Sequence, residues 1–336
     1  MESKMRAVRL HEVGGPQNLV LEEVARPQAQ RGEVLVRISH AALNHRDIYI
    51  TQGLYPGIEL PRILGSDGCG VVAAHGPHAQ APAVGAAVVI NPMLDWGPDQ
   101  RVWDESSSLL GMPRDGTFAQ YVTVPAENVF EKPSGLTNEE AAAIPLAGLT
   151  AYRALVTRGK LSKNETLLVT GIGGGVATFV LLFAKQIGAR VVVTSSSDEK
   201  LSRARELGAD EIFNYKDNPD WHKAAKRIGI DLAVDSSGGE TFAKVLDVVK
   251  PGGRVVTYGG TNGNASIRPF SIFWKHLDVL GSSMGSPADF SAMLKCFDGD
   301  LRPVIDRVFA MEDVAAAAQR MDDRAQFGKI VLAIPA

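Results

Sequence analysis

Between residues 166 and 257 the chain repeats one pattern, and that pattern admits few folds. An apolar run (TLLVTG, RVVVTSS, EIFNY, DLAVDSS, RVVTYGG) is followed each time by a turn or an amphipathic stretch such as DEKLSRARELGA, NPDWHKAAKRI or GETFAKVLDVVKPGG. Strands alternating with helices at this spacing require a parallel sheet wound by right-handed crossovers. The stretch TNEEAAAIPLAGLTAYRALVTRG leads into it. Thr137, with Glu140 three residues on, predicts a capping box, and Pro145 predicts that the helix kinks or restarts there.

The first 130 residues have another texture. MRAVRL, EVLVRIS, GCGVVAA, AVVIN and QYVTVP are short, rich in Val and Ile, and separated by Gly, Pro and Asn, which reads as a β domain. A turn or two of helix is expected around 45–51, and residues 91–116 read as a long polar surface loop. The closing strand KIVLAIP is expected to pair back into this β domain. A chain of 336 residues exceeds one ordinary core. The expected organisation is therefore a β domain from 1–130 and 286–336, and an α/β domain over 131–285.

Composition narrows the function classes. With 45% apolar and 22% charged residues the chain is an ordinary globular protein. A net charge of −3 gives no electrostatic footprint for nucleic acid or an anionic membrane. No apolar run approaches a membrane span, and MESKMRAVRLHEV has no apolar signal core, so a cytoplasmic protein is expected. The two cysteines, Cys69 and Cys296, are too few for a disulfide framework or a four-thiolate zinc knot, and are expected to pack as small core residues.

The strand TLLVTG runs into GIGGGVA and then a helix, where Gly171, Gly174 and Ala177 fit G-x-x-G-x-x-G/A. The first glycine permits a tight turn, the second lets a pyrophosphate approach the backbone, and the small third residue lets helix and strand pack closely. Gly171, Gly174, Gly175, Val176 and Ala177 are thus the candidate dinucleotide cradle, with the helix N-terminus supplying N–H donors. The next strand end decides which dinucleotide. An NAD site usually places an acid there to hold the ribose hydroxyls. VVVTSSSDEK instead offers Ser195 and Ser196, with Lys200 one turn into the following helix, a set suited to the 2′-phosphate of NADPH. Asp198 and Glu199 admit two readings, as first-turn acids favoured by the helix dipole or as ribose acceptors. NADPH is the expected cofactor.

QGLYP, LPRILGSDGCGVV, GTFAQYVTVP, AAAIPLAGLTAY, GIGGGVA, PGGRVVTYG and GKIVL together resemble the medium-chain dehydrogenases and reductases over nearly the whole chain. The resemblance implies a GroES-like β domain, built from both chain ends, joined to a Rossmann domain with a doubly wound parallel sheet. Zinc alcohol dehydrogenases of that superfamily bind catalytic zinc through a Cys, a His and another Cys or acid. Those positions fall here on Asn44, Ser66 and Leu146, and the structural-zinc lobe falls on 91–116, which has no cysteine. The chain is thus similar to the zinc-free branch, the quinone oxidoreductases and enoyl reductases, and no metal is expected. The same resemblance implies that Asn44, Tyr49, Thr150, Tyr258 and Gly259 stand at the nicotinamide, and that Tyr215 contacts the adenosine phosphate. It also places Lys329 of GKIVL among the cofactor residues, and implies a homodimer paired through LDVLGSS at 277–283.

Without a Lewis acid, the expected substrate is a small molecule that already accepts hydride, a quinone or an α,β-unsaturated carbonyl. Asn44, Tyr49 and Tyr55 are the candidate catalytic residues. Tyr55 in QGLYP falls where enoyl reductases carry a tyrosine proposed as proton donor; the other reading is an aromatic wall with solvent giving the proton. His45 and Asp47 also keep two readings, a catalytic role or a solvated His and a turn-holding Asp. His75 and His78 flank Gly76 and Pro77 and read as a surface turn rather than a metal pair. Two other functions stay in view, an alcohol or aldehyde dehydrogenase-type enzyme and an NADPH-binding structural or regulatory protein without turnover.

Overall fold

The computed structural model describes residues 3–336. It divides into two compact units, one running to Ala147 and resuming over Ser286–Ala336, the other Gly148–Gly285. Residues 131–147, which the change in texture had placed with the second unit, are grouped with the first. The reason is packing: the helix Asn138–Ala143 lies on Glu33–Ala42 and Asp67–His75, with Ala143 clustered against Ala42 and Val331.

In the second unit six strands lie parallel in the order Glu211–Asn214, Arg190–Ser195, Thr166–Val169, Ile230–Asp235, Val249–Thr257, Asp278–Gly281. Numbered along the chain this is 3-2-1-4-5-6, the doubly wound order whose strand reversal lies at the C-terminal ends of the first and fourth strands. Thr166–Val169 is buried at every residue, as a central parallel strand covered on both faces must be. The helix Gly239–Val248 places Phe242, Val245 and Leu246 into one apolar cluster with Leu168, Val192 and Ala233. Each such burial contributes about 1.5–3 kcal/mol, which fixes the helix on the sheet without unusual propensity.

The first unit is β-rich. Its main sheet runs Val129–Glu131, Ala87–Ile90, Asp67–His75, Glu33–Ala42, Lys329–Ala333, Ile305–Ala310, with Tyr121–Pro125 also pairing Glu33–Ala42. The closing strand does return to this domain, Val331 pairing with Ala42. The Thr137–Glu140 capping box forms, and the helix restarts at Pro145. Residues 91–116 are not simply a loop: Met93–Leu94, Ser108–Leu110 and Pro113–Arg114 make a three-stranded sheet, and Trp96, Leu110 and Met112 are buried. Apolar pairs as short as Met93–Leu94 and Leu109–Leu110, set among prolines and glycines, gave no run long enough to signal it. Cys69 is buried, its thiol pushed up to about 12 mainly by burial, and it is inert as a nucleophile; Cys296 is half-buried, its Sγ 3.8 Å from Ala292 O. Among the described residues no helix is long and apolar enough to cross a membrane.

Candidate functional site

The strand Glu33–Ala42 ends between the starts of its two neighbours. Ala42 pairs with Asp67 on one side and with Val331 on the other, two residues beyond Lys329. Asn44 follows directly, so three polar side chains from distant parts of the sequence meet at one strand end. The Lys329 Nζ donates to Leu43 O at 2.7 Å, Asn44 Oδ1 at 2.6 Å and Asp67 Oδ2 at 2.9 Å. Asn44 Nδ2 donates to Asp67 Oδ2 at 3.0 Å, and the Leu146 backbone N–H donates to Asp67 Oδ1 at 2.7 Å. The Lys329 and Asp67 side chains are 2% and 0% exposed, so this is an ion pair removed from water. Such a pair persists only because its hydrogen bonds are complete; removing one partner costs roughly 3–5 kcal/mol.

Asn44 also caps the helix His45–Thr51. Its backbone N–H donates to Asp47 Oδ2 at 2.8 Å, and its carbonyl accepts the Asp47 N–H at 2.9 Å. This is the turn-holding reading of Asp47. Burial drives the Asp47 carboxyl up to about 6, against the pull of Arg46 and the Asn44 N–H, and its Oδ1 is buried without a hydrogen-bond partner. Arg46, itself buried, donates through Nη1 to Ser66 Oγ (2.7 Å) and Leu110 O (2.9 Å), and through Nη2 to Met112 O (3.1 Å). Its Nε reaches the half-buried Tyr55 hydroxyl at 3.4 Å. Tyr49 is half-buried on the same helix, with its ring centroid 6.4 Å from that of the exposed His45. His75 bonds the Pro82 carbonyl, and His78 sits at φ 64° in its turn.

These side chains do not suit a catalytic zinc. Ser66 Oγ donates to Leu110 O at 2.8 Å while receiving Arg46, Leu146 offers no side-chain donor atom, and both Asn44 Oδ1 and Asp67 already hold an ammonium. Among the described residues no group of three or more His, Cys, Asp and Glu is placed to hold a metal ion.

In the second unit the glycine turn opens an uncapped helix start. Gly171 sits at φ 67°, where a side chain would be strained, and Ile172 N–H bonds Thr194 O across the neighbouring strand. Gly174 is the N-cap of the 13-residue helix Gly175–Ile187; no side chain caps it, and a Cβ there would meet open space. The N–H donors of Gly175, Val176 and Ala177 thus belong to a helix start with no internal anion, while the Ala177 side chain is buried. Gly173, which the spacing argument passes over, carries φ 122°, and the Lys200 chain lies across it, its Cδ only 2.8 Å from where a Cβ would be. Lys200 is therefore brought to the glycine turn. Ser195 is buried and its Oγ accepts the Ser197 N–H, whereas Ser196 is partly exposed. Asp198 is engaged by Asn214 Nδ2 at 2.8 Å. Tyr215 is exposed, its N–H on Ser195 O.

Thr150, Tyr258 and Gly259 lie in the same unit. Thr150 is buried, with Oγ1 4.0 Å from Met284 Sδ. Tyr258 N–H bonds Asp235 O; burial pushes its phenol up to about 12, which makes it a poor acid. At Gly259 a Cβ would stand 3.3 Å from Ser236 O. The structure spends Lys329, read from the sequence as a cofactor residue, on Leu43, Asn44 and Asp67 instead: all three ammonium hydrogens are taken there. Asp67 and Arg46 had no role in the sequence reading. Their only signal was polarity inside apolar stretches, GSDGCGVV and HRDIYI.

Two family models match the chain, "alcohol dehydrogenase GroES-like domain" over residues 30–134 and "zinc-binding dehydrogenase" over residues 175–299. The zinc-type alcohol dehydrogenase-like protein YogA of Leptosphaeria maculans is 38% identical, the match covering 94% of each chain. An acryloyl-coenzyme A reductase of Sulfurisphaera tokodaii is 29% identical over 95% of this chain and 98% of its own. A crystal structure described as an NAD-dependent alcohol dehydrogenase superimposes with a TM-score of 0.92 at 38% identity, covering 98% of this chain and 100% of that one.

Proposed function

This chain belongs to the medium-chain dehydrogenase/reductase superfamily, and within it we propose a metal-independent, NADPH-dependent reductase of quinones or α,β-unsaturated carbonyls. One observation carries the reading. The acceptors Asn44 Oδ1 and Asp67 Oδ2 are held by the ammonium of Lys329, at a place where the family resemblance puts the metal-ligand positions of zinc-dependent members on Asn44, Ser66 and Leu146. A simple alcohol needs a Lewis acid or strong base to ionise it, whereas a conjugated acceptor spreads the incoming charge over its own π system.

When bound, the reduced nicotinamide supplies the hydride. The chain's residues do the rest. Gly171, Gly174, Gly175, Val176 and Ala177 hold the pyrophosphate through backbone approach and helix N–H donors. Ser196 and Lys200, with Tyr215 following the next strand, receive the 2′-phosphate, while Asp198 Oδ1 is bonded to Asn214. Thr150, Tyr258 and Gly259 line the nicotinamide. Asn44 donates an amide hydrogen to the oxygen on which charge develops, Tyr49 shields that oxygen from water, and Tyr55 donates the proton that completes the reduction, regaining one from solvent. The acryloyl-coenzyme A reductase relative bears a name in keeping with this acceptor class.

The test is consumption of NADPH, in the presence of a chelator, with simple quinones, 2-cyclohexenone and crotonyl thioesters, set beside NADP⁺ reduction by primary and secondary alcohols. Turnover with at least one conjugated acceptor and none with alcohols is expected. Turnover with alcohols alone overturns the reading.

A further inference from the structure

We infer that Lys329 is a positioning residue: its buried ammonium, paired with Asp67, sets which way the Asn44 amide faces and so which atom of it meets the acceptor. The inference rests on the reading of Asn44 as the oxyanion donor. The two ends of an asparagine amide are alike in shape, so packing alone does not choose between them. Here two charges choose. An ammonium only donates and a carboxylate only accepts. Lys329 Nζ lies 2.6 Å from Asn44 Oδ1, and Asp67 Oδ2 lies 3.0 Å from Asn44 Nδ2. Turning the amide over would set NH₂ against NH₃⁺ and a carbonyl against a carboxylate, two repulsions in place of two charge-assisted bonds.

The charges are themselves held. Lys329 has three hydrogens and three acceptors, the third being Leu43 O at 2.7 Å, so the ammonium has no freedom to swing. Asp67 Oδ1 is pinned by the Leu146 N–H at 2.7 Å, and its own backbone carbonyl accepts Thr117 Oγ1 at 2.7 Å. The Asn44 backbone is tied to Asp47 at 2.8 Å. An amide nitrogen carries two hydrogens, and Asp67 takes one. The other is the donor that the lock delivers. Where a metal-dependent enzyme presents a cation to the substrate oxygen, this chain keeps its cation one bond behind and presents a neutral N–H.

Lys329→Met alone leaves Asp67 as an unpaired buried carboxylate and is a poor folding risk, so the test uses Asp67→Asn/Lys329→Met, which removes both charges. Two readouts are taken on the full-length protein. In the first, ¹⁵N-labelled samples are compared for the side-chain NH₂ signals of Asn44, assigned by their loss in Asn44→Asp. Wild type should show two well-separated, exchange-protected proton shifts, and the charge-free pair should collapse them toward solvent-exposed values. In the second, turnover of 2-cyclohexenone with NADPH is measured in a double-mutant cycle. Removing the charges should lower kcat about ten- to hundred-fold with KM for NADPH within about threefold, and the same change in an Asn44→Ala background should cost under about twofold. Equal losses in both backgrounds, or unaltered Asn44 signals, would overturn the inference. If wild type reduces no conjugated acceptor, it is the acceptor reading that falls, and the Asn44 signals alone decide whether Lys329 sets the amide.

Discussion

Arg46 Nε donates to the Tyr55 hydroxyl oxygen at 3.4 Å, while the guanidinium carbon stands 4.9 Å from the Tyr55 ring centroid. A guanidinium has no acceptor, so the phenol oxygen receives this contact and its own hydrogen must point elsewhere. The other three contacts of Arg46, to Ser66, Leu110 and Met112, fix it in place. The Tyr55 hydroxyl hydrogen is thus left to point away from Arg46, the orientation that the proposed role of Tyr55 as proton donor needs.

From this relationship Tyr55→Phe should slow turnover about ten- to ten-thousand-fold while cofactor affinity, read by fluorescence titration, stays within about twofold. The rate must be measured where chemistry limits turnover. An unchanged rate there would return Tyr55 to the role of an aromatic wall.

The proposed preference for NADPH is supported by Lys200 lying across Gly173 at the glycine turn. A hydrogen bond to a charged group contributes about 1.5–3 kcal/mol, so Lys200→Ala should weaken NADPH binding about ten- to hundred-fold. NADH binding should hardly move. Ser196→Asp, which sets a negative charge beside the phosphate, should reverse the preference. The structural neighbour described as NAD-dependent makes this comparison informative: tighter NADH binding by the unaltered protein would show that the strand end has been misread.

A third expectation concerns Asp47. Its carboxyl is raised from 3.8 to about 6, chiefly by burial, so the folded chain holds that proton more tightly than the unfolded chain does. The contribution to stability is therefore fully present below about pH 3.8 and is lost as pH rises through about 6. Asp47→Asn keeps an acceptor for the Asn44 N–H but cannot ionise. Relative to that variant, wild type should lose on the order of 1–3 kcal/mol of urea-unfolding stability between pH 4 and pH 7. A difference between the two proteins that stays flat across this window would contradict a raised Asp47.

What the sequence made legible were features written locally. The strand–helix alternation named the parallel sheet, GIGGGVA named the glycine turn that opens the helix Gly175–Ile187, and the Thr137 and Glu140 spacing named a capping box that forms. The polar centre of the first unit was not legible, because Lys329 and Asp67 are 262 positions apart and meet only through the register of three strands. GKIVL marked Lys329 as notable without saying what it touches. Asp67 is a single acid inside an apolar strand, and burial, not spacing, makes it matter. The sheet within 91–116 went unread for a related reason: its strands are two or three residues long, too short for a period to show in the sequence.

The central claim is hydride transfer to a conjugated acceptor without a metal, and the most direct test joins zinc content to activity in one sample. Protein dialysed exhaustively against a chelator would be divided for elemental analysis and for NADPH-dependent turnover of whichever conjugated acceptor proves fastest. The account predicts no stoichiometric zinc and undiminished turnover, because the acceptors Asn44 Oδ1 and Asp67 Oδ2 are already held by Lys329. One zinc per chain before dialysis, with activity lost on its removal and restored by adding it back, would contradict it.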